Sequence, residues 1–485
     1  MSEKLPLPEE IWNRTPPEAQ ALIYSLQERV SVLEEQMKEL RELLALDSKN
    51  SSKPPSSDPP GSRCSTQQLQ NKRKKKRKRG GQPGHRGMTR ELIPSEQADK
   101  RIPVAAENCT RCGEKLEGED PNPHRHQVVE IPPLAAQVIE YQLHQLLCEG
   151  CGHKNPAPWP KDMPKGRFGF RLQAVVSLCS GKYKLPRRAT VNLVEEFFGV
   201  SISLGSVSNI EKKASEILKA PYEEAHEYLQ EQKSVNVDET GYREKKKRGW
   251  LWVMASPLVT VFLLALSRAG WVAKSLIGLD FEGIVGTDRC RSYSWLSDEQ
   301  RQYCWAHLIR DFEKFKLRGG RSAEIGEQLL RNTGRMFEWW HRVRDGTLTR
   351  LVFERRMKKV SKSVEFFLYQ GAHCGHSKTE STCKELLKHR QALWSFVRVE
   401  GVEPTNNVAE RALRPAVIWR KRSFGTNSNR GSRFVERILT VVATLKQQGR
   451  STIEYMVSAF AAHNDGQKAP SLLPQEDEQE PPPAE

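Results

Sequence analysis

Four short apolar stretches follow one another in the middle of the chain, Ser234 to Asp238, Trp250 to Ala255, Val259 to Ser267 and Gly283 to Asp288, and they limit the fold more than any other feature. Val235 and Val237 alternate with Asn236 and Asp238, the period-two pattern of a strand. Ser256-Pro257-Leu258 is short enough to join the second and third stretches as a hairpin. Two of the strands end on acids. Asp238-Glu239 leads into a turn expected at Gly241, and Asp288 leaves the strand from Gly283. Open α/β sheets place their chemistry at the carboxyl ends of strands, so both positions suit a metal ligand, although a lone Asp-Glu pair is more often a solvated turn. Asp238 shares its face with Asn236. Glu239 points the other way and is expected to tolerate substitution better.

A third acid comes much later. In Gly401-Val402-Glu403-Pro404-Thr405-Asn406-Asn407-Val408-Ala409-Glu410-Arg411-Ala412-Leu413-Arg414-Pro415, Thr405 or Asn406 can cap a helix that Pro415 stops. Val408, Ala412 and Leu413 then face inward, while Asn406, Glu410 and Arg414 share another edge at i, i+4 spacing. Two strand-end aspartates and a helical glutamate, brought together, can hold two Mg²⁺ (or Mn²⁺) ions about 3.5–4 Å apart and stabilise both oxygens of an in-line phosphoryl displacement. The nucleophile is water in strand nicking and a 3′-hydroxyl in strand joining. Asp238, Asp288 and Glu410 are therefore the candidate catalytic and magnesium-binding residues. Arg414 and the stretch Arg420-Lys421-Arg422-Ser423-Phe424 combine basic residues with an aromatic, which suits a phosphate backbone and a base face. Tyr303 to Arg310 reads as a short strand feeding a helix, where His307 is either an outer support of a metal site or a structural histidine.

The formal charge of +17 makes a polyanion the natural partner, nucleic acid first. Lys72, Arg73, Lys74, Lys75, Lys76, Arg77, Lys78 and Arg79 form one uninterrupted basic run, suited to sequence-blind phosphate binding. It lies in a Pro/Ser-rich linker, residues 48–100, which also carries Gly80-Gly81-Gln82-Pro83-Gly84-His85-Arg86-Gly87. Ahead of it Ile23, Leu26, Val30, Leu33, Met37, Leu40 and Leu44 step by three and four, a heptad seam pointing to a parallel coiled-coil dimer or to a helix packed on its own protein. Behind it Cys109-Thr110-Arg111-Cys112 and Cys148-Glu149-Gly150-Cys151 supply four thiolates for a tetrahedral structural zinc. The 35 residues between Cys112 and Cys148 exceed the usual spacing of roughly 15–20, and residues 127–147 can supply strands to close the gap. Arg188 to Phe198, a turn at Gly199-Val200-Ser201 and a helix from near Ser206 match a DNA-binding helix-turn-helix as well as an ordinary helical hairpin. From Ala323 to Val397 the pattern is helical, with Trp339, Trp340, Phe366, Phe367 and Trp394 as core candidates. A helix over Arg433 to Gln448 closes the fold, and an acidic, Pro-rich tail ends it. The longest apolar run, Leu258 to Leu266, falls far short of the ~20 residues of a membrane span. With no basic-then-apolar leader and ten cysteines suited to reduced thiols or metal, a cytoplasmic, nucleoid-associated protein is expected.

In order and spacing, NSSKPPSSD, GGQPGHRG, the two CxxC pairs, VDET, GTDRCRSY, CWAHLIRDF and PTNNVAERALRP closely resemble the transposases of the insertion-sequence-66 type, over roughly residues 48–450. The resemblance implies a multidomain α+β chain whose catalytic core is ribonuclease-H-like, with a DDE triad of Asp238, Asp288 and Glu410 and an all-α insertion before the glutamate. The expected organisation is a coiled coil (1–47), a basic linker (48–100), a four-cysteine zinc domain (101–160), a helical DNA-binding module (165–225), a catalytic domain (230–450, insertion about 317–400) and a C-terminal extension (451–485). The expected partners are the element's terminal inverted repeats and target DNA, further copies of the chain, and accessory element-encoded proteins. The expected function is Mg-dependent cleavage and strand transfer; the alternative is a catalytically silent DNA-binding regulator or domesticated transposase. The stretch Arg420 to Thr426 follows the family's basic pattern only loosely.

Overall fold

A computed structural model describes residues 8–44, 91–118, 120–160 and 163–474. The basic run 72–79, the Pro/Ser-rich and GGQPGHRG stretches and the acidic tail from 475 onward lie outside the described residues. The chain divides into two compact units, Met1–Asp58 with Val138–Glu485, and Pro59–Gln137. In the smaller unit the Gln127 side chain brackets the backbone of Ile93, accepting from its N–H at 3.0 Å and donating to its carbonyl at 2.9 Å.

The larger unit begins with α1 (Glu9–Trp12) and α2 (Pro17–Leu44). Trp12 meets Tyr24 edge-on at 5.0 Å, and the Gln20 amide donates to the Trp12 and Thr15 carbonyls, which closes the turn between the helices. Beyond that turn the heptad stripe is open: Leu26, Val30, Leu33, Met37 and Leu40 are 48–57% exposed. Next, β1 (Gln145–Leu147) and β2 (Lys154–Pro156) pair antiparallel around the second CxxC turn.

Four helices follow, α3 (Phe170–Gly181), α4 (Arg187–Phe198), α5 (Leu204–Ile217) and α6 (Lys219–Gln230). Gly199 ends α4 in the left-handed conformation, and the Ser203 hydroxyl caps α5 by accepting from the Ser206 N–H. The helix pair expected around Gly199 is thus formed. Its inward residues Val194 and Val207, with Ala174 of α3 and Leu229 of α6, are buried in the same hydrophobic core as the sheet.

That sheet has five strands, β3 (Ser234–Glu244), β4 (Lys247–Ala255), β5 (Thr260–Ala265), β6 (Ile284–Thr287) and β7 (Arg301–Tyr303), in the order β5-β4-β3-β6-β7. β3, β4 and β5 form an antiparallel meander; after α7 (Gly270–Ile277) the chain returns as β6, parallel to β3, and then β7, parallel to β6. The turn expected at Gly241 is absent. Gly241 pairs in register with Trp250, Tyr242 is buried beyond it, and the reversal comes at Lys245, whose φ is 55°. Asp238 therefore sits within a long strand, just past the segment that β6 covers.

A second core belongs to the helical stretch α8 (Trp305–Leu317), α9 (Gly320–Arg344), α10 (Arg350–Gly371), α11 (Ser377–Lys388) and α12 (Ser395–Arg398). Trp340 and Trp394 are buried there, and Trp339 and Phe367 pack against it. Phe366, expected in the core, is 56% exposed, because the inward stripe of α10 is Val360, Val364 and Leu368 and Phe366 falls on the opposite side. Three helices close the chain: α13 (Asn407–Ser423), α14 (Asn429–Gln447) and α15 (Thr452–Asn464). Pro415 does not stop α13, contrary to expectation. It lacks one N–H and costs about 3 kcal/mol in a helix interior, but Ala416 and Trp419 beyond it are buried and α13 packs on β3 and β4, which holds the helix together.

Side chains of α14 cover the edge of the sheet at β5. The N–H groups of Thr260, Phe262 and Leu264 donate to Thr444 Oγ1 (3.1 Å), Thr440 Oγ1 (3.1 Å) and Glu436 Oε1 (2.5 Å). At the other edge the Ser395 hydroxyl donates to the Arg301 carbonyl and the Phe396 N–H to Gln302 Oε1. No helix among the described residues is long and apolar enough to cross a membrane.

Candidate active site

Asp238 and Asp288 come level because Asn236 and Gly286 are partners in the parallel β3–β6 register, and each acid lies two residues further along its strand direction. The register depends on glycine: a Cβ at Gly286 would stand 2.4 Å from Oδ1 of Asn236. Each aspartate is oriented by a backbone N–H, that of Glu239 for Asp238 and that of Cys290 for Asp288, both at 2.8 Å. Burial holds the Asp238 carboxyl well above its ordinary pKa, and the charges of Asp288, Glu239 and Glu410 push it further in the same direction. Three acids distant in sequence thus meet at one place.

Glu410 reaches that place through the start of α13. The Asn406 amide donates to the carbonyl of Val237 at 2.9 Å, one residue before Asp238, and the Asn406 N–H donates to the Cys304 sulfur at 3.2 Å. The Trp305 N–H donates to the Pro404 carbonyl. Asn406 was expected on the same edge as Glu410 and as a helix cap; it precedes α13, makes no side-chain cap and is buried as a clamp between helix and sheet. The inward residues of α13 are Ala409, Leu413 and Ala416, with Val408 and Ala412 only partly buried.

Around Glu410 lie Cys304 and His307, their ligand atoms and a Glu410 oxygen all within 4.8 Å of one another. His307 Nδ1 is 3.5 Å from Glu410 Oε1, and neither atom has a hydrogen-bond partner. A buried carboxylate oxygen left open beside a cluster of like charges fits a hard divalent cation, which prefers oxygen donors. Cys304 fits such a cation poorly. Burial pushes its thiol up to about 11, and its sulfur already accepts from Asn406.

Glu239 differs from expectation. Its side chain is buried beneath the site, paired with Arg268 at 2.7 Å and accepting the hydroxyl proton of Tyr293, whose phenol is buried and held well above its ordinary pKa. The period-two pattern put it on the face away from Asp238 correctly; that face is the core. Beyond Asp288, Arg289 bridges Asp311 (2.6 Å) and Glu385 (2.7 Å), tying the loop after β6 to α8 and α11.

Of the basic residues expected to meet DNA, Arg414, Lys421 and Arg422 are exposed on α13. Arg420 instead donates to the Gly241 carbonyl and to Thr240 Oγ1 at 3.3 Å, fastening α13 to β3. Arg422 adds its charge to Lys184, whose ammonium is lowered by burial first and by Arg422 second.

The two CxxC turns share one geometry. The Gly113 N–H donates to the Cys109 carbonyl at 2.9 Å and the Gly152 N–H to the Cys148 carbonyl at 2.8 Å, with each glycine at positive φ. The backbone N–H groups of Cys112 and Arg111 lower the Cys109 thiol, and Cys151, through its side chain and then its N–H, lowers that of Cys148. Turns that lower a thiol in this way suit zinc.

A family model described as "Transposase IS66 family" matches residues 165–433, more than half of the chain. The chain belongs to the IS66 transposase family. The match to this family begins just ahead of α3 and ends early in α14, so it includes the sheet, the helical stretch with its own core, and all three acids. A second model, of a family of unknown function, matches residues 4–91. "Uncharacterized protein y4qI" of Sinorhizobium fredii is 30% identical over 240 residues, 44% of this chain; the match spans 43% of that relative's length.

Proposed function

We propose that this IS66-family chain is a DNA transposase that binds the terminal repeats of its element, cleaves strands there and joins them to target DNA, with Asp238, Asp288 and Glu410 as the ligands of two Mg²⁺ ions. The observation that carries this is geometric: the Asn236–Gly286 register sets Asp238 and Asp288 level on neighbouring strands, and the Asn406 amide, bonded to the Val237 carbonyl, holds the start of the helix that carries Glu410 against the residue before Asp238. The sheet order, an antiparallel meander followed by two parallel strands, supports a ribonuclease-H-like core. When bound, the ions supply Lewis acidity to the attacking and leaving oxygens of the phosphodiester. The protein's part is placement. β3 and β6 hold the aspartates level, Asn406 and Cys304 set the start of α13, and Arg268 and Tyr293 fix Glu239 beneath the site.

Asp238→Ala, Asp288→Ala and Glu410→Ala are each expected to lower Mg-dependent nicking of a terminal-repeat duplex by at least ~10³-fold while binding it as the wild type does, the loss expected where electrostatic stabilisation of the transition state is removed. Full nicking by any one of them removes that residue from the triad. Wild-type binding without nicking would leave a DNA-binding regulator. Arg414, Lys421 and Arg422, with the basic run 72–79, are the proposed backbone contacts. The two CxxC turns are proposed to bind structural Zn²⁺, so metal analysis of the purified chain should find zinc and no zinc would exclude it. The exposed stripe of α2 is proposed to pair with α2 of another copy.

A further inference from the structure

We infer that the cavity beside Asp288 holds the phosphodiester adjoining the reacting one on the cleaved strand, gripped by the guanidinium groups of Arg291 and Arg310. The inference rests on the catalytic reading above, because it places DNA next to the triad. The cavity measures about 570 Å³ and is walled by the loop after β5, the loop after β6 and one face of α8. Its lining contributes five cationic side chains and two carboxylates, so an anion is favoured.

Most of that positive charge is already committed. Arg268 pairs with Glu239, Arg289 with Asp311 and Glu385, and Lys314 with Asp311 at 2.9 Å. Two guanidiniums are left. Arg291 is exposed and has neither an ion pair nor a side-chain hydrogen bond among the described residues. Arg310 is half-buried, and its ion pair with Glu410 is a loose one, at 3.9 Å beyond hydrogen-bond reach. They rise from different elements, the loop after Asp288 and α8, on the walls of one cavity. Guanidinium forks are suited to phosphate oxygens.

Size and lining narrow the ligand further. The volume lies in the range of small-ligand sites, about 300–1,000 Å³, enough for a nucleotide unit rather than a bare ion. No Trp, Tyr or Phe lines it, so a base has no ring to stack on. The site reads backbone and is indifferent to sequence.

The test is an interference cycle with full-length protein in EDTA. It is bound to a terminal-repeat duplex in which single phosphates near the cleavage position are replaced, one at a time, by neutral methylphosphonate. One flanking replacement is expected to weaken wild-type binding about tenfold, the worth of a charge-assisted contact. In the Arg291→Ala/Arg310→Ala double variant the same replacement should cost nothing, and the slope of log K against log salt should fall by about two, one per lost contact. The Arg291→Lys/Arg310→Lys variant keeps the charge and should retain interference, while Arg335→Ala, which removes an exposed charge of α9 outside the lining, should behave as wild type. Interference that persists in the double variant, or is absent from the wild type, overturns the inference. Because the readout needs neither metal nor turnover, it is separable from the triad: an active Asp238→Ala would sink the catalytic reading and leave the interference result standing.

Discussion

Asp238 is half-buried beside Asp288, Glu239 and Glu410, and each of these raises its pKa, so in the absence of a cation the fold gains by losing this charge. A carboxyl raised in the folded state above its unfolded value of ~3.9 contributes stability that is present at low pH and lost as pH rises through the folded value. Asp238→Asn should therefore unfold at a higher temperature than the wild type at pH 7 in EDTA, with the gap closing toward pH ~4. Divalent metal should stabilise the wild type more than the variant. Glu239→Ala should do the reverse, because it strips Arg268 and Tyr293 of a buried partner; with Arg268 44% exposed the loss lies at the low end for a broken pair, about 3 kcal/mol. Differential scanning calorimetry of both variants decides: equal stability of Glu239→Ala and wild type would show the network to be dispensable. The pairing of Asp238 with Asp288 was legible because an apolar strand pattern leads up to each acid, although β3 runs on past Asp238 to Glu244. The role of Glu239 was not, since a carboxylate on a strand's inner face is recognisable only once Arg268 and Tyr293 are seen to converge on it from 29 and 54 residues away.

The contact between α14 and β5 joins two periodicities. Residues four apart on a helix rise about 6 Å, and residues two apart on a strand about 6.6 Å, so Glu436, Thr440 and Thr444 keep step with Leu264, Phe262 and Thr260. Thr440→Val preserves shape and removes the acceptor, leaving the Phe262 N–H buried and unpaired at a cost of about 1–3 kcal/mol in urea unfolding, whereas Thr440→Ser should restore most of it. Glu436 adds a pH dependence. Burial pushes its carboxyl up to about 7 against Arg433, which lowers it, so its contribution fades as pH rises from about 4.5 to 7. Glu436→Gln keeps an acceptor for Leu264 and should flatten that decline. The strands of the five-stranded sheet and the helix pair at Gly199 could be read from period and turns; the strands expected over residues 127–147 reduce to Gln145–Leu147, and the helix beyond Pro415 could not be read. A proline signals a break locally; only the buried Ala416 and Trp419 and the fastening of Arg420 to Gly241 outweigh it. Likewise Cys304 and Asn406 carry a pattern one can see, a cysteine opening a helix and an asparagine before another, but the Cys304–Asn406 contact spans 102 residues and has no local signature.

At the scale of the whole molecule, the exposed stripe of α2 is the surface proposed above for pairing with another copy. Val30→Lys with Leu33→Lys places two charges in that stripe and should convert the purified chain to a monomer by multi-angle light scattering; a monomeric wild type would remove α2 as an assembly element. The two edges of the sheet matter here in another way. An uncovered strand recruits any neighbouring strand, and proteins gathered at high local concentration along one duplex are those most exposed to such pairing. With β5 covered by α14 and β7 engaged by the helical stretch at Ser395 and Phe396, neighbouring copies can associate through helices and loops, and the sheet itself is barred from growing into its neighbour.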